Sequence, residues 1–111
     1  MPALPGPYEI LELGDQGSLS FQPLKWTEGE ITIRPRFQEE AKTITAIRVW
    51  VGADVKPLFP DYYDVTAQTL VAQLRPILQR DDFRNLVITI TKYGVAPKAR
   101  YQVKAVPKLA T

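Results

Sequence analysis

From residue 18 onward the chain alternates between two hydrophobic periods. Strict apolar–polar alternation marks a half-buried strand, because successive strand side chains point to opposite faces. Apolar positions three and four apart mark one face of a helix. Residues 18–22 alternate, with Leu19 and Phe21 on one side, and predict a first strand. It can run on toward Trp26 with a break at Pro23, which has no N–H to give to a ladder. Glu28-Gly29 reads as a turn. Residues 30–34 alternate again, with Ile31 and Ile33 inward and Thr32 and Arg34 outward, until Pro35 bulges or ends the strand. The clearest pattern spans 42–51: Ile47, Val49 and Val51 share the core face, and Arg48 and Trp50 share the opposite one. Gly52, Pro57 and Pro60 make 52–61 a loop.

Leu70, Val71, Leu74, Ile77 and Leu78 then form one helical stripe, with Asp64 or Thr66 placed to cap its start. Pro76 predicts a kink or break near Arg75. Residues 85–93 return to alternation, with Leu86, Ile88 and Ile90 inward and Thr89, Thr91 and Tyr93 outward. In 100–106, Tyr101 and Val103 point inward and Arg100, Gln102 and Lys104 outward. The short connection between these last two strands predicts a hairpin.

The order β-β-β-α-β-β predicts a mainly β domain: a five-stranded OB-fold-like barrel with one helix between the third and fourth strands. A plain α+β sheet covered by one helix fits the same order. Residues 14–108 form this domain, and residues 1–13 precede it as a proline-rich arm. The chain has 111 residues, enough for one core without staples.

Composition narrows the chemistry. There is no cysteine and no histidine. Disulfides, thiolate or imidazole metal sites, Cys nucleophiles and a Ser-His-Asp arrangement are therefore excluded. No glycine-rich phosphate loop occurs, and no cofactor or metal is expected. Carboxylates adjoin only at Glu39-Glu40 and Asp81-Asp82. At turns such pairs are ordinarily solvated charge, so no catalytic residue is assigned and the chain is read as a non-enzyme. No apolar run approaches the ~20 residues of a membrane span, and no signal-peptide pattern opens the chain, so no membrane partner and a cytoplasmic location are expected.

Net charge is only +2, but it is unevenly spread. Up to residue 33 the acids Glu9, Glu12, Asp15, Glu28 and Glu30 face one base, Lys25. After Asp82 there is no acid, and Arg84, Lys92, Lys98, Arg100, Lys104 and Lys108 follow. Such a segment is the footprint of a polyanion partner or simply solvates exposed strand faces. In OB-folds, strands two and three and the first-to-second and fourth-to-fifth strand loops hold the oligonucleotide. Arg34, Arg36, Arg48 and Trp50 fall on that face. Trp26 falls in the first of those connections, and Lys92, Tyr93, Lys98 and Arg100 lie in or beside the second. These nine residues are the candidate nucleic-acid-binding set: aromatics to stack on bases, cations to meet phosphates. The bland alternative for Trp50 is that it caps the core or packs under the 52–61 loop. Phe59, Tyr62 and Tyr63 form a second aromatic cluster, read first as anchors of that loop and otherwise as a stacking or subunit contact.

The segments Val87-Ile88-Thr89-Ile90-Thr91-Lys92-Tyr93-Gly94 and Ala99-Arg100-Tyr101-Gln102-Val103 resemble the closing hairpin of phage-type OB-fold single-stranded-DNA-binding proteins. There a strand ending in a basic residue and glycine leads to a second strand with an Arg/Lys-Tyr step. The resemblance covers roughly 20 residues and implies sequence-tolerant binding of exposed single strands in replication or recombination, through Lys92, Tyr93 and Arg100. Bacterial-type relatives end in an acidic tail that recruits partners, whereas this chain ends Pro107-Lys108-Leu109-Ala110-Thr111. The expected function is thus non-enzymatic binding of single-stranded DNA or RNA. The competing expectation is a structural or adaptor subunit of a viral or multiprotein assembly, as a homo-oligomer or with protein partners. Trp50, Tyr62 and Tyr63 would then be interface anchors, and the proline-rich arm an assembly tether.

Overall fold

A computed structural model describes residues 3–33, 40–94 and 99–108. The elements are β1 (Ser18–Phe21), β2 (Lys25–Ile33), β3 (Lys42–Trp50), β4 (Tyr62–Val65), α1 (Gln68–Leu78), a single 3-10 turn (Phe83–Asn85), β5 (Leu86–Tyr93) and β6 (Arg100–Pro107). They form two three-stranded antiparallel sheets, ordered β1-β5-β6 and β2-β3-β4. The fold is mainly β, as expected, but the described residues form six strands rather than five, and among them the two sheets do not close into a barrel.

Two expectations are corrected, and the second supplies the sixth strand. Glu28-Gly29 is no turn: β2 runs straight through it and pairs with β3 from Lys25↔Trp50 to Ile33↔Lys42. Gly29 is buried opposite Ala46, so the lack of a side chain there serves packing rather than a bend. Residues 62–65, read as an aromatic cluster before the helix, form β4 along the free edge of β3, from Ile47↔Val65 to Trp50↔Tyr62. Pro23 divides β1 from β2 as its missing N–H requires. Leu24 N–H already donates to Trp50 O at 2.9 Å, so one bent run of chain, residues 18–33, supplies an edge strand to each sheet.

The inner faces of both sheets meet over one core. Ile47, Val49 and Val65 come from one sheet; Phe21, Ile88 and Ile90 come from the other. Helix α1 adds Leu70, Val71, Leu74 and Leu78, the stripe its spacing predicts. Burying each such side chain contributes roughly 1.5–3 kcal/mol. Neither Asp64 nor Thr66 caps the helix: the N-cap is Ala67, without a side-chain hydrogen bond. Instead the Gln68 side-chain amide donates to Thr45 O (3.0 Å) and Thr66 O (2.8 Å). The helix also passes Pro76 and ends two residues later, at Leu78. A proline in the last turn frees only the carbonyl four residues back, on Ala72, whose position is exposed.

The proline-rich N-terminal segment is held against the molecule. Leu4 N–H donates to Glu30 O (2.8 Å) at the outer edge of β2. Seven residues later, Leu11 N–H donates to Asp64 O (2.9 Å) at the outer edge of β4, and Asp64 N–H donates to Glu9 O (2.7 Å). Between these two edges the chain crosses the outer face of β2-β3-β4 like a strap. Leu4 is buried there against Ile31 and Ala46, with Ile10 and Ile44 at the margin of this small second core. Tyr62 Oη donates to Pro7 O.

Candidate nucleic-acid interface

Strand alternation turns Arg48 and Trp50 away from the main core, as the sequence predicts, but the strap covers the face they enter. Arg48 is 3% exposed and Asp64, directly across the ladder, is 0% exposed. Arg48 Nε donates to Asp64 Oδ1 at 2.7 Å and its Nη2 to Oδ2 at 3.1 Å. The guanidinium also lies 4.1 Å from the centre of the Tyr62 ring. Glu9 N–H donates to Asp64 Oδ2 at 2.9 Å, tying the strap to the same carboxylate. Burial disfavours the charge on Arg48, but the bidentate hydrogen bond and the charge of Asp64 outweigh it and raise the guanidinium's pKa. Arg48 is therefore not an exposed phosphate contact; it is one half of a buried ion pair. Sequence patterning missed Asp64 because a lone Asp ahead of a helical stripe looks like a cap. It is the cross-strand neighbour of Arg48, in a four-residue strand that the pattern does not announce.

Trp50 is likewise no open platform. It is half-buried, with Tyr62 tilted against it (centroids 5.6 Å apart) and Lys25 Nζ 4.7 Å from its ring centre. Trp26 alternates to the opposite face of its sheet and packs against the main core. Arg34, Arg36 and Lys98 lie outside the described residues.

The last hairpin is arranged differently. Tyr93 and Arg100 are directly opposed across β5 and β6, and both are exposed. The Cβ atoms of directly opposed residues in an antiparallel pair stand ~5 Å apart, so the two side chains leave the sheet from adjacent positions. Tyr93 Oη donates to Gln102 Oε1 (3.1 Å), which leans the ring along the sheet. Lys104 lies further along the same face, opposite Thr89. Hydroxyls pave the remainder: Ser20 and Thr89 share a hydrogen bond of 2.8 Å, and Thr91 Oγ1 donates to Ser18 Oγ at 3.4 Å. No carboxylate occupies these positions on β1, β5 or β6. The nearest acid in the pairing pattern, Asp15, accepts the Gly94 N–H at 2.7 Å. Lys92 alternates to the other face, opposite Tyr101, and does not join Tyr93.

The proposed set is thus divided. Val49 on one sheet and Ile90 on the other enter the same core, so the faces carrying Trp50 and Tyr93 both turn away from it, on different sheets. Tyr93 lies at the end of β5 where Ser18 pairs with Thr91, whereas Trp50 pairs with Lys25, beyond the bend that ends β1. One groove lined by Arg48, Trp50, Tyr93 and Arg100 together is not formed. Among the described residues no group of three or more carboxylates is placed to hold a metal ion. Glu39 lies outside the described residues, and Asp82 is occupied by a bidentate pair to Arg80, both contacts at 2.9 Å. No helix is long and apolar enough to cross a membrane, among the described residues. Comparison with protein-family models, with curated proteins and with solved structures finds no match.

Proposed function

We propose that this chain is a non-enzymatic binder of single-stranded nucleic acid and that its contact surface is the outer face of β1-β5-β6. The observation that carries this reading is the exposed Tyr93–Arg100 pair on a sheet face with Lys104 and no acid. An exposed ring beside a cation suits a base stacked over a backbone whose phosphate meets the guanidinium. The serine and threonine hydroxyls beside them suit sugar and phosphate oxygens. The closing hairpin's resemblance to phage-type single-strand binders points the same way. So does the connectivity: one bent strand shared by two sheets, with the helix entering after the third paired segment, is compatible with an OB-like barrel left open between β4 and β6. The surface differs from the one that analogy favours, because the strap occupies the outer face of β3 and β4.

Titration of a fluorescent oligothymidine tests this. Binding should weaken with salt, with a log–log slope of about −1.4 for the two cations, at ~0.7 each on single strands. Tyr93→Ala should weaken binding about tenfold, within the ~1–3 kcal/mol per stacked base. Arg100→Ala should flatten the slope by about 0.7. Absence of binding at low salt, with the chain folded by circular dichroism, overturns the proposal.

A second reading, an adaptor subunit of a protein assembly, is favoured by one observation: Leu58 and Phe59 stand 79% and 74% exposed.

A further inference from the structure

The connection between β3 and β4 holds its largest apolar side chains outward. Leu58, Phe59 and Leu24, the last from the bend between β1 and β2, border one hollow of about 360 Å³ with Val51, Lys56 and Pro57. Single exposed apolar residues need no explanation, but three around one hollow do. Phe59 meets Tyr62 edge-on, at 6.2 Å between centroids, and stays mostly exposed. The core does not account for its position.

The charge around the hollow is one-sided. On the Leu24 side, Arg84 Nε donates to Leu24 O (3.0 Å), Lys108 Nζ donates to Gln22 Oε1 (2.9 Å), and Gln22 Nε2 donates to Arg84 O (2.6 Å). Lys25 sits over Trp50 next door. None of these three cations has a carboxylate partner among the described residues. On the other side Lys56 is paired with Glu9 (3.4 Å), and Asp61 lines the wall.

We propose that this hollow docks an acidic peptide segment of a partner protein, one that carries one or two large apolar side chains. The apolar side chains would sit among Leu24, Leu58 and Phe59, and the carboxylates would face Lys25, Arg84 and Lys108. An apolar anchor with a charged rim is the usual anatomy of a protein-recognition site. Leu24 and Leu58 are aliphatic and Phe59 is the one ring bordering the hollow, so the lining suits apolar anchoring better than successive base stacking, which favours peptide over nucleic acid here. The site is independent of the nucleic-acid surface. Arg84 and Lys108 flank the Leu86↔Pro107 end of the hairpin, and Tyr93↔Arg100 is the other end. Seven residues at ~3.3 Å separate them by about 23 Å, so both can be filled at once.

The test uses a fluorescein-labelled peptide of aspartate and glutamate bearing one leucine and one phenylalanine, titrated onto the full chain by anisotropy. Saturable, salt-sensitive binding is expected, weakened about tenfold by Leu58→Ser with Phe59→Ser and severalfold by Arg84→Gln. Both leucine and phenylalanine sites are solvent-facing, so these variants should keep their circular dichroism spectrum. Tyr93→Ala and saturating oligothymidine should leave peptide binding unchanged, which separates failure here from failure of the nucleic-acid reading. No saturable binding, or binding indifferent to the Leu58/Phe59 variant, overturns the proposal. Displacement by oligothymidine overturns it in favour of an extended nucleic-acid surface. A dimer that Leu58→Ser with Phe59→Ser dissociates overturns it in favour of a second copy.

Discussion

On β5 and β6 every second side chain reaches solvent: Thr89, Thr91 and Tyr93 face Lys104, Gln102 and Arg100 across the ladder. On β3 and β4 the equivalent outward positions hold Arg48, Trp50, Tyr62 and Asp64; residues 3–11 are tied to Tyr62 and Asp64, Arg48 is buried with them, and Trp50 is half-buried. Both sheets obey the same alternation, yet one presents its cations and the other consumes one. Period two assigns a side chain to a face; it does not say what covers that face. The covering segment here comes from the far end of the sequence. Gly29 and Ala46, opposed on the outer face, carry little bulk where Leu4 packs beside Ile31.

The contrast can be broken hardest at the ion pair. Asp64→Ala leaves a buried, unpaired guanidinium and should cost about 3–5 kcal/mol, read by urea unfolding. Arg48→Met combined with Asp64→Leu should recover most of that loss, because neither charge then remains in the dry interior. Arg100→Ala on the open sheet should change stability by no more than about 0.5 kcal/mol. Equal losses at the two arginines would remove the distinction between the sheets.

A smaller effect is expected at the strap. Leu4→Ala deletes a buried side chain and should cost about 2–3 kcal/mol, toward the low end for a leucine because the site is a small satellite core. Amide exchange at Leu11 and Asp64, whose N–H groups join strap to β4, should accelerate with it. Unchanged exchange would show that the strap does not depend on its leucine anchor.

The sequence carried the long elements plainly. Alternation through Ile47, Val49 and Val51 gave β3, and five apolar positions at helical spacing gave α1. The closing hairpin followed from two alternating runs around a short connection, and with it the exposed Tyr93, Arg100 and Lys104. What stayed hidden depended on partners distant in sequence. Tyr62-Tyr63-Asp64-Val65 is too short for a period and becomes a strand only because β3 offers an edge. Gly29 imitates a turn residue until its neighbours across the sheet are known. Arg48 looks like a surface cation until Asp64 and residues 3–11 are folded onto it. Phe59 looks like a loop anchor, and the fold leaves it outside, with Leu58 beside it.

Nucleic acid is proposed to meet the open sheet and not the strapped one. An amide chemical-shift titration of the labelled chain with unlabelled oligothymidine tests this most directly. Progressive, salt-suppressed shifts are expected at Thr89, Thr91, Tyr93, Arg100, Gln102 and Lys104, with Ile44, Arg48 and Asp64 unmoved. Shifts centred on Arg48, Trp50 and Asp64, with the hairpin silent, would contradict it.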